Sequence, residues 1–295
     1  MAKKKETVTE TETGQQSFDL PSIVNKFENL SAATSELRTG IFAPITKISA
    51  TSIIQKKFIE NKRERMIETT WGTVVVAGNI LTQTHRDVLD CVFAAASNDT
   101  KELSDGSIAV YFKLADISRA LSTRDVDNYN YKWIKQKLKE IQTTAIEFRA
   151  KDSKDYFMFN FLSKAAFSEK YGSFGLVFTK EYRQFIESQL TVNYQKELPK
   201  LLKIDSALLK SIIRFFWTHK HCNISIDQVL KSIGFPTESE RAVKTAKKEI
   251  KTNAHILEKE FGIFYNKNEN FLYTQENKNI QFVPPMSDSS KQLEN

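Results

Sequence analysis

Arg241, Lys244, Lys248 and Lys251 recur at intervals of three and four residues, the spacing that sets side chains on one face of a helix. With Ile250 turned inward, at about 100° per residue, these four cations fill the outward arc with Thr245 beside them. Glu240 and Glu249 fall on its flanks. A second set, Asn128, Lys132, Lys135, Gln136 and Lys139, occupies the outward arc of a helix over about 125–142 when Ile134 faces the core. Asp125, at its start, is the one acid of that arc. An ordinary solvated face mixes signs to gain i,i+4 pairs, and like charges there cost a few tenths of a kcal/mol per pair. Arcs so nearly free of acid therefore suit a polyanion, whose phosphates release counterions when lysine or arginine neutralises them. Asn128, Gln136 and Arg241 are of the types that pair with base edges in a major groove. The lysines position the protein on the backbone. Lysine outnumbers arginine 33 to 10, so base readout rests on few residues.

Other chemistry is missing. No G-x-x-x-x-G-K-[ST] stretch builds a phosphate-cradling loop, and no G-x-S-x-G or triad spacing appears. His219-Lys220-His221-Cys222 invites a metal reading, yet it ends a helix with no second cluster, and the chain has 4 histidines in all. A nicking enzyme would need histidines flanking a hydrophobic residue on a strand, with a tyrosine nucleophile. Here a lysine separates them, and Tyr129 and Tyr131 read as packing and contact residues. Cys91 and Cys222 lie among apolar neighbours and read as small core residues in a reducing compartment rather than a disulfide or metal pair. No enzyme, cofactor or metal is expected.

The elements that position these residues follow from the apolar pattern. The 295 residues are 40% hydrophobic and 27% charged, with net charge +7, enough for a real core and basic overall. The longest apolar run, 73–81, is far short of the roughly 20 residues that span a bilayer, and no signal peptide precedes it. A soluble, cytoplasmic protein is expected, with no membrane partner. Residues 1–17 and 288–295 are polar and read as tails, whereas 18–65, with a basic run at 56–65, resists placement. From there the order is a strand at 70–77, a helix capped by Thr84, a strand at 108–112, a short helix through Leu121 and the basic helix. A hairpin (145–149 and 156–161) follows, carrying Lys151 and Lys154 in its turn. A further strand at 174–178 leads into a helix capped by Thr179. The order then recurs: a helix capped by Asp205, an extended piece at 223–225, a helix ending at Gly234, the basic helix 238–252, and a hairpin with Lys267 in its turn. One shift carries Leu121 onto Ile233 and Leu138 onto Ile250. Three helices and a hairpin form the winged helix-turn-helix, whose third helix enters a groove while the hairpin flanks it. The expected fold is α+β, with tandem winged-helix domains at 36–190 and 191–280. A largely disordered tail at 1–35 and a flexible tail at 281–295 complete it.

The stretch Gly78–Asp90, GNILTQTHRDVLD, resembles the opening of the first winged-helix domain of theta-mode, iteron-binding plasmid replication initiators. In that family an L-x-Q-x-x-x-D-V-L-like pattern leads from a strand into the first helix. The resemblance extends over about residues 66–280. It implies a protein that binds direct repeats (iterons) of double-stranded DNA at an origin, helps open neighbouring A·T-rich DNA, and recruits the host initiator and replicative helicase. It also implies that the C-terminal unit dominates repeat recognition, and that the N-terminal unit also binds DNA and takes part in a homodimer. A winged-helix transcriptional repressor, acting on its own promoter, is the alternative reading of the same two units.

Overall fold

The computed structural model describes residues 31–96, 100–122, 130–168, 173–274 and 280–285. In chain order the first half supplies strand β1 (Ser31–Ala33), helices α1 (Thr34–Arg38) and α2 (Ile53–Glu60), strands β2 (Glu64–Glu68) and β3 (Gly72–Ala77), and helix α3 (Gln83–Ala95). Strands β4 (Thr100–Glu102) and β5 (Ile108–Phe112) lead into helices α4 (Leu114–Leu121) and α5 (Tyr131–Gln142). Two hairpins follow, β6 (Ala145–Ala150) with β7 (Tyr156–Asn160) and β8 (Leu162–Ser168) with β9 (Ser173–Phe178), before α6 (Lys180–Ser188). The second half runs β10 (Thr191–Asn193), α7 (Leu198–Leu202), α8 (Ala207–Trp217), β11 (Cys222–Ser225), α9 (Ile226–Ser232) and α10 (Glu240–Thr252). It ends with α11 (Ala254–Phe261), β12 (Ile263–Asn266), β13 (Phe271–Thr274) and β14 (Gln281–Val283).

Sheet order carries the duplication. After α8 the strands are arranged β11-β13-β12, and after α3 they are arranged β5-β9-β8, with β4 added outside β5. Both units therefore read helix, strand, helix, helix, wing, and the fold is a tandem winged helix of the α+β class. The first wing is β8–β9, not the β6–β7 hairpin that the strand pattern singles out. β6 instead pairs with β3 from Gly72↔Ala150 to Ala77↔Ala145, building a separate sheet β2-β3-β6-β7. A Cβ at Gly72 would stand 2.0 Å from the Arg149 carbonyl oxygen, so that register needs glycine.

Local signals also shift. Thr82, not Thr84, precedes the first turn of α3 and receives a reciprocal cap: its backbone N–H donates to His85 Nδ1 at 3.0 Å. Ser206, not Asp205, caps α8 by accepting from the Leu209 N–H at 3.1 Å. The boundaries of the expected tails move outward as well. β1 pairs with β10, and β10 with β14, so residues 31–35 and 281–283 are ordered, with Ser31–Ala33 fully buried. Residues 1–30 and 286–295 lie outside the described residues.

One apolar core runs through both units, from Val88, Leu89 and Val92 of α3 to Ile212, Ile213 and Phe216 of α8. Inside it sits a set of buried charges. Arg214 of α8 donates to Gln83 Oε1 (2.6 Å), Asp87 Oδ1 (2.6 Å) and Asp90 Oδ2 (2.7 Å) of α3, and Lys210 reaches Asp87 Oδ2 at 2.5 Å. On the far side of α3, Arg86 pairs with Asp90 (2.7 Å) and with Glu36 of α1, while Tyr194 donates to Asp90 at 2.8 Å. The cations Arg86, Lys210 and Arg214 balance the anions Glu36, Asp87 and Asp90, and each is at most 9% exposed. Burial would lower the Arg214 pKa, yet Asp90 and Asp87 outweigh it and raise it, so the cation is held firmly. A second tie is Arg65 of β2, which donates to the carbonyls of Gly40 (2.8 Å), Ile41 (3.2 Å) and Gly234 (3.3 Å). Burial pushes its pKa down to about 10, still charged at neutral pH.

α5 is fastened to α3 by His85. Because Nδ1 accepts from Thr82, Nε2 carries the proton and donates to Glu140 of α5 at 2.6 Å. Burial holds the imidazole below its ordinary 6.5, against the raising effect of Glu140. The hydrogen bond from His85 is the main cause that draws Glu140 down to about 2.

Two outcomes are expected. Arg214→Ala leaves Asp87 and Asp90 buried without their main partner, so it costs about 3–5 kcal/mol of unfolding free energy; urea unfolding followed by circular dichroism reads it, and a loss within experimental error contradicts it. For His85, whose folded pKa is depressed, the unfolded chain binds the proton more readily. Its contribution is fully present above 6.5 and is lost as the pH falls from there through the lower pKa of the folded state. The thermal midpoint of the wild type should therefore fall more steeply from about pH 7 to about pH 5 than that of His85→Gln. Parallel slopes for the two would contradict this.

Candidate nucleic-acid interface

Ile134, Leu138 and Ile141 bury one face of α5, and the Asn130 side chain caps it by accepting from the Lys132 N–H at 2.8 Å. The opposite face carries Lys132, Lys135, Gln136 and Lys139, all exposed. Among the described residues, none of these three lysines pairs with a carboxylate; Lys135 lies over the Phe167 ring of β8, 4.7 Å from its centroid. Gln136 donates to Glu140 at 3.0 Å, so its amide is partly committed. Lys137, outside the expected set, turns to Glu140 at 2.7 Å. Asn128 and Tyr129 lie outside the described residues.

α10 is built the same way. Ala246 and Ile250 face the core, and Ser239 caps the helix by accepting from the Ala242 N–H at 3.3 Å. Arg241, Lys244, Thr245, Lys248 and Lys251 are exposed. The Thr245 hydroxyl donates back to the Arg241 carbonyl at 2.9 Å, and Lys251 lies 6.0 Å from the Tyr265 ring centroid of the second wing. Lys247 is diverted to Asp227 of α9 at 2.7 Å, whereas the arginine and three lysines of the arc make no ion pair among the described residues. A groove of about 850 Å³ runs beside α10, bordered by Lys244, Lys248 and Lys251.

One acid of each helix is turned aside, while Glu240 stays exposed at the start of α10 and borders the groove. Glu140 is held by His85 and Lys137 on α5, and Glu249 of α10 accepts from Ser206, the cap of α8. Each outward arc is thus left cationic by the same contacts that dock its helix.

The wing residues divide. Lys267 is exposed in the β12–β13 turn, on the second wing as expected. Lys151 and Lys154 are exposed at the tip of β6–β7, where the Lys151 N–H donates to the Trp71 carbonyl at 3.1 Å. Six residues of β6 separate that tip from the foot of α5, a distance of about 20 Å. They are therefore not residues of the first wing. That place belongs to β8, whose exposed Lys164 and Phe167 the sequence reading passed over. The signal was present in Gly175 of β9, where the Tyr111 ring would come within 3.2 Å of a Cβ, as at a tightly paired central strand.

Cys91 is buried and Cys222 half-buried, and both are free thiols. His219 Nδ1 contacts the Phe215 carbonyl (3.0 Å) and Thr218 Oγ1 (2.9 Å). Among the described residues no group of three or more His, Cys, Asp or Glu side chains is set to hold a metal, and no helix is long and apolar enough to cross a membrane.

Comparison with known proteins follows this geometry. Two solved structures of domains 2 and 3 of RctB are similar in shape. One has a TM-score of 0.47 at 11% identity, covering 90% of this chain and 99% of that one. The other has a TM-score of 0.40 at 10% identity, covering 79% and 94%. No curated protein matches the chain. Residues 73–207, which hold α3, α5 and the first wing, match the family model described as initiator replication protein, WH1. Residues 73–207 are thus similar to the WH1 domain of the initiator replication proteins, and they lie within a tandem winged-helix fold.

Proposed function

We propose that this protein initiates replication of a plasmid by binding short direct repeats of double-stranded DNA at the origin. In this reading it acts in the cytoplasm without enzymatic activity, strains a neighbouring A·T-rich segment, and recruits the host initiator and replicative helicase. The observation that carries the proposal is the pair of lysine-rich outward faces, whose cations make no ion pair among the described residues, on corresponding helices of two units that a buried charge network joins. Third helices set in successive major grooves on one face of the duplex sit about 10 bp apart, so the two units would cover roughly two turns. α10 would read the repeat chiefly through Arg241, and α5 through Gln136, with the lysines on phosphates.

The first unit also supports self-association. Among the described residues β7 is an edge strand, paired only with β6, and its Tyr156, Phe157 and Met158 are exposed. Such an edge is a template for a second copy.

Replacing Arg241, Lys244 and Lys248 together by alanine should leave folding intact and abolish detectable binding to the direct repeats flanking the gene. Wild-type affinity should fall steeply with salt, as for about 6–10 phosphate contacts. Intact binding by the variant in a gel-shift assay at near-physiological salt, or a flat salt dependence, would refute the interface. Protection of an inverted repeat over a promoter, with no direct repeats bound, would favour a repressor instead. For the edge strand, Met158→Lys should shift a dimer toward monomer in sedimentation velocity; an unchanged distribution would exclude β7 as the contact.

A further inference from the structure

The basic run at 56–65 has no part in either recognition helix, yet the fold sets it between them. Thr46 borders two clefts at once. One, of about 1000 Å³, separates the 46–48 loop and α2 from α5, and is lined by Lys47, Arg63, Asn130 and Lys137. The other, of about 560 Å³, separates Pro44–Thr46 from α10, and is lined by Arg241 and Thr245. The intervening segment 44–63 is anchored to both units. In the first, Ala43 exchanges backbone hydrogen bonds with Leu81 (2.8 Å) and Gln83 (3.1 Å), and Thr84 donates to the Thr46 carbonyl at 3.1 Å. In the second, Lys57 pairs with Glu238 at 2.8 Å, just before α10.

Its free end is held in an unusual backbone shape. Lys62 (φ 53°) and Arg63 (φ 67°) both take the left-handed conformation, which is strained for a residue that bears a side chain. Glycine would be the easier choice there. Hydrogen bonds enforce the turn: the Arg63 N–H donates to Phe58 O (2.8 Å), the Gly78 N–H to Arg63 O (3.1 Å), and the Arg63 guanidinium to Gly78 O (2.7 Å). The result presents Lys62 and Arg63 to solvent, and Arg63 borders the same cleft as Lys47, which is also exposed. The acid of the larger cleft, Glu140, is already engaged by His85 and Lys137.

We infer that segment 44–63 is a third DNA contact, in which Lys47, Lys62 and Arg63 grip the sugar–phosphate backbone between the two major grooves entered by α5 and α10. This rests on the DNA-binding reading above. Between successive major grooves on one face of a duplex lies a minor groove walled by two phosphate strands, so an element held between two groove-reading helices faces phosphate rather than base edges. The cations on it are of the class that positions without reading sequence.

The test is Lys47→Gln/Lys62→Gln in the full chain, two exposed side chains with no partner among the described residues, after circular dichroism and thermal unfolding match the wild type. The probes are a duplex carrying the flanking direct repeats and a random-sequence duplex of about four helical turns. The slope of log affinity against log salt should drop by about 2 on both, since each phosphate contact contributes about 0.9. Preference for the repeats over random DNA should be unchanged. Phosphate-ethylation interference between the two major-groove contacts should weaken. A variant that keeps the wild-type slope and interference pattern overturns this inference while leaving the two-helix reading standing. A wild type that binds neither duplex overturns that reading itself.

Discussion

The Arg214 guanidinium, buried between Asp87 and Asp90, is the contact on which the rest of the arrangement depends. It joins α8, the first helix of one winged unit, to α3, the first helix of the other. Two apolar helices can slide or rotate against one another with little change in buried area, because the hydrophobic effect has no direction. A buried guanidinium with three partners at 2.6–2.7 Å cannot slide without leaving a charge unpaired in a dry interior. The balanced set of three cations and three anions is thus a device for orientation more than for stability.

Everything functional is referred to that junction. α5 is pinned to α3 through His85 and Glu140, and α10 to α8 through Glu249 and Ser206. Each cationic helix is one polar contact away from a helix of the central pair. The same contacts draw the nearest carboxylates off the outward arcs, so docking and charge segregation are achieved together. Arg65 and the close approach of Gly40, whose Cβ would stand 2.3 Å from the Ile233 carbonyl oxygen, hold the second unit's helix-turn-helix against the first unit's edge.

Helices and their exposed faces were legible in the sequence because period 3.6 is local. Ile134 and Ile250 point inward and the lysines outward, as the spacing requires. What sequence could not show was pairing across distance. A strand pattern after the third helix marks a hairpin but not its partner, and β6 found the open edge of β3 rather than β5. The same holds for β1, three residues whose partner lies near 191–193 and whose sheet is completed by 281–283. Helix α11, separated from α10 by Asn253 alone, fills the stretch between the basic helix and the wing to which the apolar pattern assigns no element. The buried network did leave a trace. Lys210 and Arg214 stand four residues apart in a helix that is otherwise apolar but for Ser211, and Arg86 and Asp90 share the same spacing in α3. Such a stripe must find partners inside the core, and the matching stripe lay in the other unit.

In the proposed complex one chain presents two cationic helices to one face of a duplex. Methylation-interference mapping of the major groove on the direct repeats tests this most directly. Two patches of interfering guanines, about 10 bp apart and on the same face, are expected. A single patch, or two on opposite faces, would contradict it.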